Sequence, residues 1–353
     1  MKKIAIVGCG AMGTILGAYL TKNGCPVEMI DANKAHVDAM KEHGAKIIGT
    51  VDFTVPVNAL LPNEMNGIYD LVFVFSKQTA NEVVFANLQK HVGENTTICT
   101  LQNGIPETAV AAAFGAKRTV GGTSNWGASY IGPGVSELTQ DLTKTPYMFE
   151  IGEYEGPSTE RTVKVREVLE FMGWPSKISE TFMASRWSKL VLNACGSGMS
   201  AVCGITFGEV MHNPTTRACA CHIAREVLQG CNADGYQMPL YNGKWDLNIF
   251  ALKDADMFKK AEQTFIDIYS VARQGKASML QDLEKGLTTE VRMINGHVCG
   301  AGKKYGFATP FCDKVVEIVT RIEKGELTYS MDNVKLFTDD MFDYKNDYLG
   351  YND

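Results

Sequence analysis

No stretch of the 353-residue chain approaches the roughly 20 consecutive apolar residues of a membrane span. A basic excess is missing as well. With 34 lysines and arginines against 40 aspartates and glutamates, the formal charge is −6, so neither nucleic acid nor an anionic membrane is expected as a partner. The ten cysteines are scattered, and none forms a C-x-x-C pair. Many lie in apolar runs, among them Cys99, Cys195 and Cys203, where a thiol packs as a small hydrophobe. Cys219, Cys221 and His222 come nearest to a metal cluster. Spacings of one and two residues turn them to different faces of a helix and no second ligand pair follows, so no metal is expected. The start, MKKIAIVGCGAMG, has two lysines before an apolar run, but Ile4–Val7 is too short for a signal peptide and runs into glycines. A reducing, cytoplasmic setting is the expectation.

What is present is alternation. The length exceeds one ordinary core, and two domains are expected, 1–180 and 181–338, followed by a polar, acidic tail over 339–353. In the first domain, β-rich runs at Lys3–Val7, Val27–Ile30, Leu71–Phe75 and Thr97–Leu101 are bounded by turn residues. Helical patterns near 11–22, 33–43, 79–91 and 106–113 lie between them. Strand and helix in repetition predict an α/β fold, a doubly wound parallel sheet of the Rossmann type. Gly121–Gly122 and Ile131–Gly134 punctuate a region of further strands ending near Lys177–Ile178. From about Glu180 onward the pattern is all-helical, with helices over 181–194, 198–211, 214–234, 254–272, 288–304 and 310–324. The last has Thr309 as N-cap, Pro310 at its first position and Gly325 just beyond its end.

The hexapeptide GCGAMG, with Gly8, Gly10, Ala11, Met12 and Gly13, follows the first strand and opens a helix. A lone G-x-G-x-x-G is weak, but here a strand precedes it, a helix follows, and an acidic residue lies roughly 20 positions on. Gly8 allows the tight turn, Gly10 lets the backbone approach a pyrophosphate, and Gly13 lets helix and strand pack closely. Asp31 ends the second strand, where a carboxylate accepts hydrogen bonds from the adenosine ribose. A 2′-phosphate at about 4 Å would be repelled by about 4 kcal/mol per charge pair at an effective dielectric of about 20. NAD(H) is therefore expected over NADP(H), with Lys34 as the one nearby cation able to swing towards a phosphate.

The stretch RWSKLVLN, residues 186–193, carries Lys189 and Asn193 four apart, which puts both on one helix face among apolar neighbours. Alone, the pair reads as a solvated stripe as readily as a catalytic pair. Other stretches give it company. FSKQT places Ser76 and Lys77 at the end of one strand, and LQNG places Asn103 at the end of the next, where parallel sheets bind ligands. SMLQD (278–282) and TEVRMING (289–296) follow in the second domain, the latter putting Glu290 on a mostly apolar helix.

Taken in order, GCGAMG, FSKQ, QNG, the Trp187-x-Lys189-Leu190-x-x-Asn193 block, SMLQD and TE followed by ING resemble the ketopantoate reductase family along nearly the whole chain. The resemblance implies reduction of a 2-oxo acid to a D-2-hydroxy acid by hydride from a nicotinamide. It implies an N-terminal Rossmann domain, a C-terminal helical domain and an active site in the cleft. Lys189 matches the general acid, Glu290 the glutamate that orients lysine and substrate, Asn193 a substrate contact and Ser278 the serine that binds the substrate carboxylate. Lys77 and Asn103 match residues on the nicotinamide side. Two positions depart. Ser197 stands where a second asparagine is common, and Gly275 stands where another often precedes the serine. A helical insertion around Trp245–Lys260 and the tail also lengthen the chain. Homodimers occur in the family, so the resemblance allows a dimer.

Ketopantoate is the first substrate to expect. Ser197 and Gly275 lean towards a less hydroxylated substrate, and with Asp31 they admit an NAD-dependent D-2-hydroxyacid dehydrogenase for branched or aromatic 2-oxo acids. A β-hydroxyacid dehydrogenase shares the lysine–asparagine spacing but not the SMLQD and TE…ING blocks. A non-catalytic NAD-binding sensor would not need Lys189 with Glu290.

Overall fold

Ile4–Val7 is buried along its whole length, as a central strand covered on both faces must be. In the computed structural model, which describes residues 1–144 and 146–342, it pairs in parallel with Glu28–Ile30 on one side and Tyr69–Val74 on the other. The chain divides into two compact units, one over Met1–Met183 and one from Ala184 onward.

The first unit's main sheet runs Asn58–Leu60, Glu28–Ile30, Ile4–Val7, Tyr69–Val74, Val92–Thr100, Thr119–Ser124, Phe149–Glu153, Ser176–Ile178. Its first six strands repeat the 3-2-1-4-5-6 order of the doubly wound dinucleotide fold, with the switch point between Ile4–Val7 and Tyr69–Val74. The sheet is not purely parallel, because Phe149–Glu153 runs antiparallel to Thr119–Ser124. Ile6, Leu71, Phe73 and Cys99 face one apolar cluster, and Ala5, Val72, Val74 and Ile98 face the other. The alternation puts successive side chains on opposite sides of the sheet.

A second sheet was not expected from the sequence. Phe53–Val55, Ala45–Gly49, Val135–Leu138 and Ala128–Gly132 line up in that order and pack on the helix Ala11–Lys22. Buried His36 bolts this sheet to the glycine-rich turn. The Gly134 N–H donates to its Nδ1 (2.9 Å), which leaves Nε2 to donate to the Cys9 carbonyl (2.7 Å). The Thr14 hydroxyl donates to the same carbonyl at 2.6 Å. Burial lowers the His36 pKa, so the ring is held neutral in one tautomer.

The described part of the second unit is helical. Pro214–Ala233 starts on Asn213, whose side chain accepts from the Thr215 and Thr216 N–H groups, and Ala255–Tyr269 starts on Asp254. Three expected helices are corrected. The span 198–211 is two helices, Gly198–Cys203 and Phe207–His212. Gly204 takes φ +72° and ends the first, and a reciprocal Thr206–Glu209 capping box starts the second. The span 288–304 is helical only from Asn295 to Tyr305. Ahead of it, Thr289 Oγ1 accepts the Val291 N–H (3.2 Å), and such local bonds compete with the helical ladder. The insertion near 245–260 holds a 3₁₀ turn, Leu247–Ala251, and its α-helix begins only at Ala255. SMLQD, given no element from the sequence, opens the short helix Ser278–Glu284.

Thr309 does occupy the N-cap of Pro310–Glu323, but its side chain makes no capping bond there. Its hydroxyl donates to Asp313 (3.0 Å), and the two carboxylate oxygens of buried Glu226 accept the Phe311 and Cys312 N–H groups instead, each at 2.8 Å. All ten cysteines are buried. Burial pushes the thiols of Cys203, Cys231 and Cys299 up to about 12. Cys219 and Cys221 lie inside the helix Pro214–Ala233, and the His222 ring stacks on Phe311 with centroids 4.5 Å apart. The tail expected over 339–353 is described only through the turn Asp339–Phe342, and its remainder lies outside the described residues. No helix among the described residues is long and apolar enough to cross a membrane.

Candidate functional site

In the first unit the glycine-rich turn sits at the switch point. Gly8 has φ +94°, and its N–H donates to the Ile30 carbonyl at 2.9 Å. A Cβ on Gly8 would lie 2.1 Å from the Ser76 backbone nitrogen, and one on Gly13 would lie 2.3 Å from the Gly8 carbonyl oxygen. These glycines are required by the protein's own packing. Gly10 differs, since a Cβ there would meet nothing within 4 Å. The space in front of Gly10 therefore suits a group that approaches the backbone from outside, as a pyrophosphate does. The first intrahelical bond runs from Thr14 N–H to the Gly10 carbonyl (3.0 Å). The N–H groups of Ala11, Met12 and Gly13 precede that ladder, with no side-chain cap on Gly10. The Met12 side chain packs against the core.

Asp31 follows the second strand and is partly buried, its carboxylate accepting the Asn33 N–H at 2.8 Å. Lys34 pairs with Asp38 one turn on (2.5 Å), in an exposed contact that is weak in water. Tyr130, from the unexpected second sheet, hydrogen-bonds the Asn33 side chain, and Asp31's charge raises its pKa after burial does. The sequence offered no pointer to Tyr130, because the strand that carries it had no recognised partner.

Ser76, Lys77 and Asn103 stand on two adjacent strand ends that glutamines tie together. Gln102 Nε2 donates to the Ser76 carbonyl (2.6 Å) and to Asn81 Oδ1 (2.7 Å), and Gln78 Nε2 donates to the Asn103 carbonyl (2.6 Å). Both glutamines belong to the motifs FSKQ and QNG, but their cross-bracing depends on sheet order and is not legible locally.

In the second unit Lys189 lies near the end of the helix Phe182–Leu192. Its side chain is partly buried, and burial pulls its pKa from 10.5 down to about 8, with the positive charge of Arg186 adding to the shift. The sequence predicts Asn193 on the α-helix, but Asn193 instead opens a π-helical turn, Asn193–Ser197, in which Ser197 is buried. Such wide turns are frequent at functional sites. Glu290, expected on a helix, instead sits buried in the turn ahead of Asn295–Tyr305. That turn is pinned by Glu323, which accepts the Thr289 N–H (2.8 Å) and hydroxyl (2.7 Å) and the Arg292 guanidinium (2.8 Å). Ser278 is exposed at the first position of its helix. Among the described residues no group of three or more His, Cys, Asp or Glu side chains is placed to hold a metal ion.

A six-strand Rossmann order with its glycine turn at the switch point, joined to a helical unit carrying a lysine of lowered pKa, is the build of a nicotinamide-dependent oxidoreductase. Comparison with known proteins is more specific. The family described as ketopantoate reductase PanE/ApbA matches residues 4–154, and its C-terminal counterpart matches residues 181–323. The chain belongs to the ketopantoate reductase family. A 2-dehydropantoate 2-reductase of Archaeoglobus fulgidus is 26% identical over 329 residues, 92% of this chain and 99% of that protein. Among solved structures, the D-mandelate dehydrogenase complex with NADH and anilino(oxo)acetate superposes with a TM-score of 0.78 at 25% identity, covering 92% of this chain and 99% of that one. A 2-dehydropantoate 2-reductase from Geobacter metallireducens gives 0.75 at 27% identity, covering 90% and 99%.

Proposed function

We propose that the protein reduces the ketone of a 2-oxo acid to a D-2-hydroxy acid, with ketopantoate as first candidate, NADH as cofactor and Lys189 as general acid. The state of Lys189 carries this reading. An ammonium with a pKa of about 8 is largely charged at neutral pH yet ready to give up its proton. A bound NADH supplies the hydride. As hydride adds, the carbonyl oxygen gains negative charge, which Lys189 stabilises before donating its proton, a contribution typically of about 10²–10⁴-fold. Glu290 orients Lys189, Asn193 and Ser197 hydrogen-bond the substrate, and Ser278 takes its carboxylate. Gly8, Gly10, Ala11, Met12 and Gly13 hold the pyrophosphate, Asp31 the adenosine ribose, and Ser76, Lys77 and Asn103 the nicotinamide side.

The preference for NADH rests on Asp31. Replacing Asp31 by alanine is expected to lower the ratio of kcat/KM with NADH to that with NADPH by about 10–100-fold, equivalent to about 1.4–2.7 kcal/mol. An unchanged ratio would remove Asp31 from the discrimination.

The likeness to D-mandelate dehydrogenase favours a second reading, a branched or aromatic 2-oxo acid as substrate. Gly275 supports it, because a Cβ there would crowd the Ala272 carbonyl at 3.0 Å and the Phe207 ring at 3.1 Å, so the longer amide common in the family does not fit without movement. NADH and NADPH oxidation against ketopantoate and a panel of branched and aromatic 2-oxo acids separates the two. Turnover of ketopantoate far above the rest supports the first reading, and preference for phenylglyoxylate or a branched acid supports the second. Silence with every acid, despite tight NADH binding, would sink both.

A further inference from the structure

The helix that carries Lys189 runs into the π-turn Asn193–Ser197, and two buried side chains from distant parts of the second unit hold that turn. Tyr269, the last residue of the helix Ala255–Tyr269, donates its hydroxyl to the Leu192 carbonyl at 2.7 Å. Asn295, wholly buried, donates its Nδ2 to the Ala194 carbonyl at 3.1 Å. A π-turn shifts hydrogen bonding from i→i+4 to i→i+5 and so interrupts the regular α-helical ladder. Tyr269 and Asn295 each add a side-chain donor to a carbonyl of this stretch, so the turn is held from outside the helix as well as by its own ladder. Gly196 completes the fit, since a Cβ there would lie 2.2 Å from the Tyr269 hydroxyl.

The turn matters for direction. An α-helix drifts about 40° over every four residues, whereas a wider turn drifts the other way. The π-turn thereby offsets the drift accumulated from Lys189 to Asn193 and returns Ser197 to the side of the helix on which Lys189 stands. We propose that Tyr269 and Asn295 are positioning residues, which set Asn193 and Ser197 relative to Lys189 by fixing the π-turn. This rests on the reading that Asn193 and Ser197 contact the substrate.

The test is steady-state kinetics with NADH and the best 2-oxo acid for Tyr269→Phe, Asn295→Ser, Ser197→Ala, Asn193→Ala and the double variant Tyr269→Phe/Ser197→Ala, alongside melting temperature and NADH affinity. Tyr269→Phe keeps the ring packed on Phe207 (centroids 5.3 Å apart) and removes only the hydroxyl. Expected is a rise in KM for the 2-oxo acid of about 5–20-fold, with kcat changed less and NADH affinity unchanged. The double variant should be no worse than the worse single one, because both act through one turn. Asn295→Ser should repeat the KM effect, and it carries the test if Tyr269→Phe does not fold. Lowered melting temperature with KM within about twofold of the parent, or effects that multiply in the double variant, would overturn the proposal. If Ser197→Ala and Asn193→Ala both leave KM unchanged, the substrate contacts assigned to the turn fall first, and the positioning role falls with them.

Discussion

Lys189→Ala is expected to cut kcat by about 10²–10⁴-fold while NADH binds almost as tightly as before, a split read by stopped-flow turnover and fluorescence titration. Loss of NADH binding together with turnover would point to collapse of the site. The pH dependence has a definite sign. With Lys189 at about 8, kcat/KM for ketone reduction should fall about tenfold per pH unit above that value. Oxidation of the corresponding hydroxy acid, which needs the neutral amine as base, should rise about tenfold per pH unit below about 8 and level off above it. The same shift bears on stability. The folded pKa lies below the ordinary 10.5, so the folded protein binds fewer protons between about 8 and 10.5 and stability should rise with pH across that window. Below about 8 the cost of the half-buried charge is fully present. Lys189→Met should therefore be more resistant to urea at pH 7, by about 1–3 kcal/mol once solvent screening is allowed for, while being inactive.

Gly8→Ala and Gly10→Ala should part company. At Gly8 the backbone has φ +94° and the new methyl would overlap the Ser76 main chain, so neither a rotamer nor a side-chain shift relieves it. A loss of more than about 4 kcal/mol, or failure to fold, is expected by urea unfolding. At Gly10 the methyl meets only open space, so melting should barely move while NADH affinity drops about tenfold or more. Similar melting curves for the two variants would contradict the packing described for this turn.

The parts of the fold that could be read from sequence are those whose signals are local. GCGAMG, the apolar run before it and Asp31 sit within one strand–helix–strand unit, and that unit fixes the switch point. The four-stranded sheet could not be read. Val135–Leu138 gains its partner Ala45–Gly49 from some ninety positions away, and Phe53–Val55 is only three residues long. Periodicity predicts the helices of the second unit but runs through Gly204, although the Thr206–Glu209 box that restarts the chain is a local signal. Apolar spacing in TEVRMING continues into Asn295–Tyr305 and predicts a helix at Glu290, whereas Glu323 holds the chain back from 34 residues away. The four-residue spacing of Lys189 and Asn193 is legible in their motif. The π-turn between Asn193 and Ser197 leaves no period of its own, and its supports, Tyr269 and Asn295, lie 77 and 101 residues from the carbonyls they bond.

The burial of every cysteine has a practical side. A thiol reagent needs a thiolate within reach, and this fold offers none while its thiols are held at raised pKa values. Labelling should then proceed only through opened molecules, so its rate under native conditions counts how often either unit opens. A cysteine installed at Val83, which is 74% exposed, would be the single fast-reacting thiol and would give one attachment point for a fluorophore on the first unit.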